Sequence, residues 1–122
     1  MNTSAPHREV LLVGCGSLAF ETAKDLERQA TVVGAFSLKG EAVRPDLPVP
    51  HLGRSDNLAA FLAMNPVDEV YFATDVRRHH GALQAAVQVC EQLGIPFAVP
   101  AHIFRLGRAL PRDSRSVADG YL

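Results

Sequence analysis

The chain has 122 residues, of which 48% are hydrophobic, a length and composition typical of one globular domain with a single modest core. Its formal charge of -1, from 12 basic and 13 acidic side chains, argues against nucleic acid or an anionic membrane surface as a partner recognised through bulk charge. The sequence lacks the roughly 18 consecutive apolar residues of a membrane span, and residues 1–6 lack the apolar run of a secretion signal. We therefore expect a soluble, cytoplasmic chain without direct membrane insertion.

The first predicted elements are a strand over residues 9–13 and a helix over residues 17–28, joined by a turn that reads G-x-G-x-x-A. Backbone N–H groups and the positive end of a helix converge at such a turn, which suits a phosphate. A purely structural turn is the alternative. The inner face of the helix is expected to hold Leu18, Ala19, Thr22 and Leu26. The candidate phosphate-binding residues of the turn are Gly14, Cys15, Gly16, Ser17 and Leu18.

A second strand is predicted over residues 31–36, and a loop follows over residues 38–48. In dinucleotide-binding folds an acidic residue ends this strand, about 20 residues after the turn, and holds a ribose. Ser37 stands at that position, with Lys39 and Arg44 in the loop behind it. This disfavours NAD and leaves two alternatives, a site for the 2′-phosphate of NADP or solvated loop residues.

The middle of the chain predicts a short third strand over residues 49–52, in which Pro50 is tolerated only at a sheet edge. Ser55 or Asp56 is expected to cap the helix that follows, which ends at residues 65–66.

The last predicted elements are a strand over residues 70–73, a helix over residues 79–93 that ends at Gly94, and a strand over residues 97–99. Right-handed crossovers give a doubly wound, parallel, five-stranded α/β sheet of Rossmann-like class with strand order 3-2-1-4-5 and a crevice between strands one and four. The predicted organisation is a disordered segment over residues 1–8, the α/β domain over residues 9–110 and a tail or linker over residues 111–122.

The loop after strand four, residues 74–81, is unusually basic and is expected to meet the glycine-rich turn at the crevice. Basic side chains near a helix N-terminus oppose the helix dipole by about 0.3–1 kcal/mol each, and a bound anion would compensate them. A solvated helix cap is the alternative. The candidate ligand-binding residues of this loop are Thr74, Arg77, Arg78 and His79, with His80 beside them.

Catalytic chemistry is not evident in the sequence. No Ser-His-Asp set falls on convergent loops, and the histidines and cysteines lack metal-ligand spacing, so we expect neither a catalytic nor a metal site. Cys90 shares an apolar helical stripe and is expected in the core. Cys15 lies near a helix N-terminus, which can depress a thiol pKa and leaves a redox role open.

Several segments in order carry a family resemblance. Residues 10–16, 32–36, 48–53, 67–73, 90–96 and 99–104 resemble the Rossmann-like, CoA-binding-like cytosolic domain of bacterial polyprenyl glycosylphosphotransferases, which are exopolysaccharide sugar transferases. The related domains of sugar-nucleotide dehydratases share much of this pattern. The resemblance implies a parent protein that moves a sugar phosphate from a nucleotide sugar onto a polyprenyl phosphate. This chain is then expected to be a non-catalytic, ligand-sensing domain of that protein.

The implied partners are a phosphate-bearing small molecule, such as a nucleotide sugar, NAD(P) or CoA, and the catalytic domain of the parent transferase at the cytoplasmic face of the inner membrane. Whether the domain forms a homodimer stays open. Two other functions also stay open: a stand-alone NADP- or CoA-linked redox sensor or enzyme component, and a ligand-free dimerisation module.

Overall fold

Five parallel strands form one sheet in the order β3-β2-β1-β4-β5. The computed structural model describes residues 8–75 and 77–99. The elements of this part are β1 (Arg8–Val13), α1 (Ser17–Leu26), β2 (Ala30–Ser37), β3 (His51–Arg54), a 3₁₀ turn (Ser55–Asn57), α2 (Leu58–Met64), β4 (Glu69–Phe72), α3 (His80–Leu93) and β5 (Phe97–Ala98). The predicted α/β class, parallel sheet and strand order are confirmed.

The central strand β1 is buried on both faces, because alternate side chains point to opposite sides of the sheet. Val10 and Leu12 pack with α1, whereas Leu11 and Val13 pack with α2 and α3. All four side chains have no exposed surface. The helices therefore lie on both faces of the sheet, and the chain leaves the carboxyl ends of β1 and β4 in different directions. This divergence positions the crevice.

The observed elements differ from the sequence predictions mainly at their ends. Helix α1 ends at Leu26 rather than at Arg28, and β3 begins at His51. Pro50 still joins the sheet through its carbonyl oxygen, which accepts a hydrogen bond of 2.9 Å from the Ala35 N–H. The third strand lies at the sheet edge, as predicted.

The predicted cap of the second helix is wrong. Ser55 and Asp56 belong to the 3₁₀ turn, and Asn57 stands at the N-cap of α2 without a side-chain capping bond. The predicted stop of α3 is confirmed, since Gly94 has a φ of 71° and its N–H bonds to the carbonyls of Cys90 and Glu91.

The predicted domain ends fall mostly outside the described residues. Arg8, which we expected in the disordered segment, is the first residue of β1. The predicted domain end at residue 110 and the tail over residues 111–122 lie beyond the part of the chain that the structure describes.

Gly14 allows β1 to turn directly against the end of β4. Its φ is +130°, and a Cβ atom at this position would lie 2.1 Å from the carbonyl oxygen of Ala73. Its N–H donates to the Phe36 carbonyl at 2.7 Å. By contrast, a Cβ atom on Gly16 would meet only the Glu41 carboxylate, at 3.8 Å. Gly14 is thus required by the packing of three strand ends, whereas Gly16 is not.

We predict that Gly14→Ala lowers the free energy of unfolding by about 3 kcal/mol, because the methyl group meets backbone and the φ is unfavourable for an L-residue. Gly16→Ala is the matched control and should change stability by less than about 1 kcal/mol. Urea unfolding followed by circular dichroism measures both values. Equal stability of the two variants would contradict this account of the turn.

Candidate functional site

A cavity of about 690 Å³ opens at the carboxyl ends of β1 and β4. The start of α1, the loop between β2 and β3, and the segment after β4 surround it. Its lining residues are Gly16, Ser17, Leu18, Gly40, Glu41, Ala42, Ala73, Thr74, Asp75, Arg78 and His79. The cavity therefore lies where the strand order predicts a ligand crevice.

The carboxylate of Glu41 occupies the glycine-rich turn. One oxygen, Oε2, accepts a hydrogen bond of 2.9 Å from the Cys15 N–H, and the other, Oε1, accepts one of 3.0 Å from the Leu38 N–H. The Thr74 hydroxyl makes a longer contact of 3.4 Å with Oε2. The chain thus places its own anion on the Cys15 N–H, a donor for which we expected a ligand phosphate.

Sequence reasoning missed Glu41 because the search for an acidic residue stopped at the end of the second strand. The loop over residues 38–48 folds back over the turn, and the Arg44 N–H donates to the Cys15 carbonyl at 2.8 Å. Glu41 and Asp46 are the acidic residues of that loop. The sequence feature that could have indicated Glu41 is therefore an acidic residue in the loop after the second strand. Its spacing from the glycine-rich turn does not by itself show that the loop folds back to the turn.

The basic loop after β4 is largely exposed, Arg77 and Arg78 alike, and only part of it borders the cavity. Arg78 and His79 line the cavity. Arg77 is exposed, its N–H donates to the Asp75 carboxylate at 3.0 Å, and its Nε lies 3.7 Å from the same oxygen. Asp75 thus supplies for Arg77 the compensating negative charge that we attributed to a ligand. His80 is exposed at the start of α3.

Ser37, at the end of β2, and Lys39 and Arg44, in the loop behind it, lie outside the cavity lining. Ser37 is buried, and its hydroxyl lies 3.0 Å from Nε2 of His51 and 3.4 Å from the Gly53 carbonyl, towards the edge strand. Lys39 is exposed. The Arg44 guanidinium lies 4.1 Å from the centre of the Phe20 ring and pairs with Asp46 at 2.6 Å. Ser37 and Lys39 are not among the residues that line the cavity.

Three residues of the glycine-rich turn and the start of α1 border the cavity. Gly16, Ser17 and Leu18 line the cavity, whereas Gly14 is packed against the end of β4. Leu18 is half-buried and packs against the core from the cavity side, rather than within the fully buried face of α1.

Cys15 does not have an activated thiol. It is fully buried, and burial together with the neighbouring Glu41 charge raises its pKa to about 12. The helix end, which can depress a thiol pKa, does not do so here, since desolvation opposes the thiolate more strongly. Cys90 is buried in the core as predicted, and burial, with a smaller effect of Glu91, raises its pKa to about 11.

Within residues 8–75 and 77–99, no His, Cys, Asp and Glu side chains group in a way that could hold a metal ion. Each helix in these residues is too short or too polar to span a lipid bilayer. Comparisons with protein-family models, curated proteins and solved structures find no match to the chain.

We predict that neither thiol reacts with an aromatic disulfide reagent at pH 8 while the protein is native. At a pKa of about 12, only roughly one Cys15 in 10⁴ is a thiolate at that pH. Because the unfolded chain loses this proton near the ordinary value of 9.0, the stability gained from the neutral thiol is present below pH 9 and is lost as the pH rises towards 12.

Denatured protein is the control and should react within minutes. Mass spectrometry of the labelled peptides assigns each cysteine. Rapid labelling of Cys15 in the native protein would contradict the assignment of an inert, buried thiol.

Proposed function

We propose that this domain is a non-catalytic, ligand-sensing domain that binds a phosphate-bearing, nucleotide-type molecule between β1 and β4. The cavity of about 690 Å³ at this position carries the proposal. Open α/β sheets bind ligands at such switch points, and small-molecule sites commonly measure about 300–1,000 Å³. The cavity has room for a nucleotide-sized ligand.

The cavity lining combines the carboxylates of Glu41 and Asp75 with the basic residues Arg78 and His79, and an anionic group of the ligand would lie on the basic side. Arg78 can hold a phosphate through two parallel N–H bonds, and His79 adds donors beside it. Across the cavity, α1 begins at Ser17, and its N-cap is Gly16, which has no side chain to cap the first N–H groups of the helix. A phosphate between these two sides would accept hydrogen bonds from Arg78 and from the first N–H groups of α1.

The remaining polar groups favour binding over catalysis. Asp75 pairs with Arg77, Glu41 is held by the Cys15 and Leu38 N–H groups, and the Cys15 thiol is buried. These groups do not form a nucleophile with an adjacent base. The sequence resemblance supports a place for this domain beside the catalytic domain of a polyprenyl glycosylphosphotransferase, where it would report on a nucleotide-type metabolite.

The position of Glu41 favours a second candidate, a ligand-free structural module. In that function the carboxylate would satisfy the turn N–H groups permanently, and the cavity would stay without a ligand. The NADP-linked redox alternative has less support, because Ser37 faces the edge strand and the Cys15 pKa is raised.

We predict that a nucleotide sugar, NADP or coenzyme A raises the melting temperature of the domain. A ligand at about 100 times its dissociation constant adds roughly 2.7 kcal/mol, which corresponds to about 10 °C or more for a domain of this size. Differential scanning fluorimetry against this panel, with uridine and glucose as phosphate-free controls, measures the shift. Unchanged melting temperatures with every phosphate-bearing compound would favour the ligand-free module.

We predict that Arg78→Ala weakens binding of the active compound by roughly 10- to 100-fold, because a charge-assisted phosphate contact contributes about 1.5–3 kcal/mol. Arg77→Ala is the matched control. This substitution removes the same charge from the same loop, at a residue that does not line the cavity. Calorimetric titration at two salt concentrations should also show a smaller salt dependence for Arg78→Ala. Equal affinities of the two variants would exclude Arg78 from the site.

A further inference from the structure

We propose that Glu41 is an internal competitor for the phosphate, so that a phosphate-bearing ligand must displace its carboxylate from the turn. The nature of this ligand rests on the proposed function. The competition itself rests on the contacts of Glu41, which describe an anion-binding position that is already filled.

Three separate segments supply the donors of this position. The Cys15 N–H comes from the turn after β1, the Leu38 N–H from the first residue of the loop after β2, which also carries Glu41, and the Thr74 hydroxyl from the segment after β4. Thr74 is only 4% exposed, although its side chain is polar. Donors from separate segments that converge on one pair of oxygens would suit a phosphate as well as a carboxylate.

A phosphate and the Glu41 carboxylate cannot share this position. Both groups need the same N–H donors, and a phosphate that carries between one and two negative charges would be repelled by the carboxylate beside it. The apparent affinity for the ligand is therefore the intrinsic affinity multiplied by the fraction of molecules in which Glu41 has left the position.

Glu41 has a route out of the turn. Its side chain is half-buried and lines the cavity, so it can swing without opening the core. The preceding residue, Gly40, has a φ of +82° and open space around its Cα, which gives the loop backbone freedom at this point. Displacement therefore needs movement of a side chain and a short loop only.

Displacement would also change how the loop over residues 38–48 is attached. Glu41 joins the start of this loop to the turn, and the Arg44 N–H joins it again through the Cys15 carbonyl. Leu47, at the far end, packs against the core. Loss of the Glu41 contact would release the first part of the loop while the far end stays in place, which provides a surface change that depends on the ligand.

The test uses the whole chain, with pyrophosphate as the probe. We expect Glu41→Gln and Glu41→Ala to bind pyrophosphate at least about tenfold more tightly than the wild type, because a competing state populated at 90% or more lowers affinity by that factor. Asp46→Asn is the matched control. It removes the same charge from the same loop, at a side chain that does not line the cavity, and should bind like the wild type.

Nuclear magnetic resonance titration supplies the affinity and the location, through the amide signals of Cys15 and Leu38. Urea unfolding checks that each variant is folded, and Glu41→Gln keeps the size of the side chain if Glu41→Ala is unstable. Equal or weaker binding by the folded Glu41 variants, or no change of the two amide signals at tens of millimolar pyrophosphate, would overturn the inference.

The two proposals fail in different ways. If the wild type binds no nucleotide but Glu41→Gln binds pyrophosphate at the two amides, the competition stands and the proposed function fails. If the wild type binds a nucleotide through Arg78 and the Glu41 variants bind it equally well, the competition fails and the proposed function stands.

Discussion

Backbone N–H groups at the carboxyl end of β1 need a hydrogen-bond acceptor, and the arrangement of this site depends on that need. The Cys15 and Leu38 N–H groups lie beyond the hydrogen bonds of the sheet, in a partly buried setting where an unpaired donor would be costly. Glu41 supplies the acceptor for both. A single carboxylate therefore joins the turn after β1 to the loop after β2 and stabilises the mouth of the crevice.

The two glycines of the turn have different surroundings. Gly14 brings the backbone of β1 against the Ala73 carbonyl, so it is fixed by packing. Gly16 faces the cavity and leaves room for the Glu41 carboxylate or for a ligand in its place. The G-x-G pattern thus contains one glycine that the fold requires and one that leaves space for a ligand. Only the neighbouring atoms in the structure show which glycine is which.

The sequence predicted the sheet well because strand order follows from periodicity and crossover handedness, which are properties of whole segments. The apolar run of β1, the edge position next to Pro50 and the end of α3 at Gly94 are all local signals. The site was harder to predict, because it depends on where individual loop residues turn. Arg77 and Arg78 are neighbours in the sequence and both are exposed, yet of the two only Arg78 lines the cavity, while Arg77 pairs with Asp75. Glu41 reaches the turn only because the loop returns to Cys15, and no short sequence pattern encodes that return.

A built-in carboxylate changes what a glycine-rich turn can detect. In an open turn the donors are hydrated, and any small phosphate can bind them. With Glu41 in place, an incoming ligand must supply enough additional contact to offset the loss of the carboxylate contacts. A compound that reaches Arg78 as well as the turn makes such contacts, whereas free phosphate has too few atoms to span the cavity. The carboxylate would therefore favour ligands that bridge both sides of the crevice, which is the selectivity that a sensor of a nucleotide-type metabolite needs against the much commoner inorganic anions.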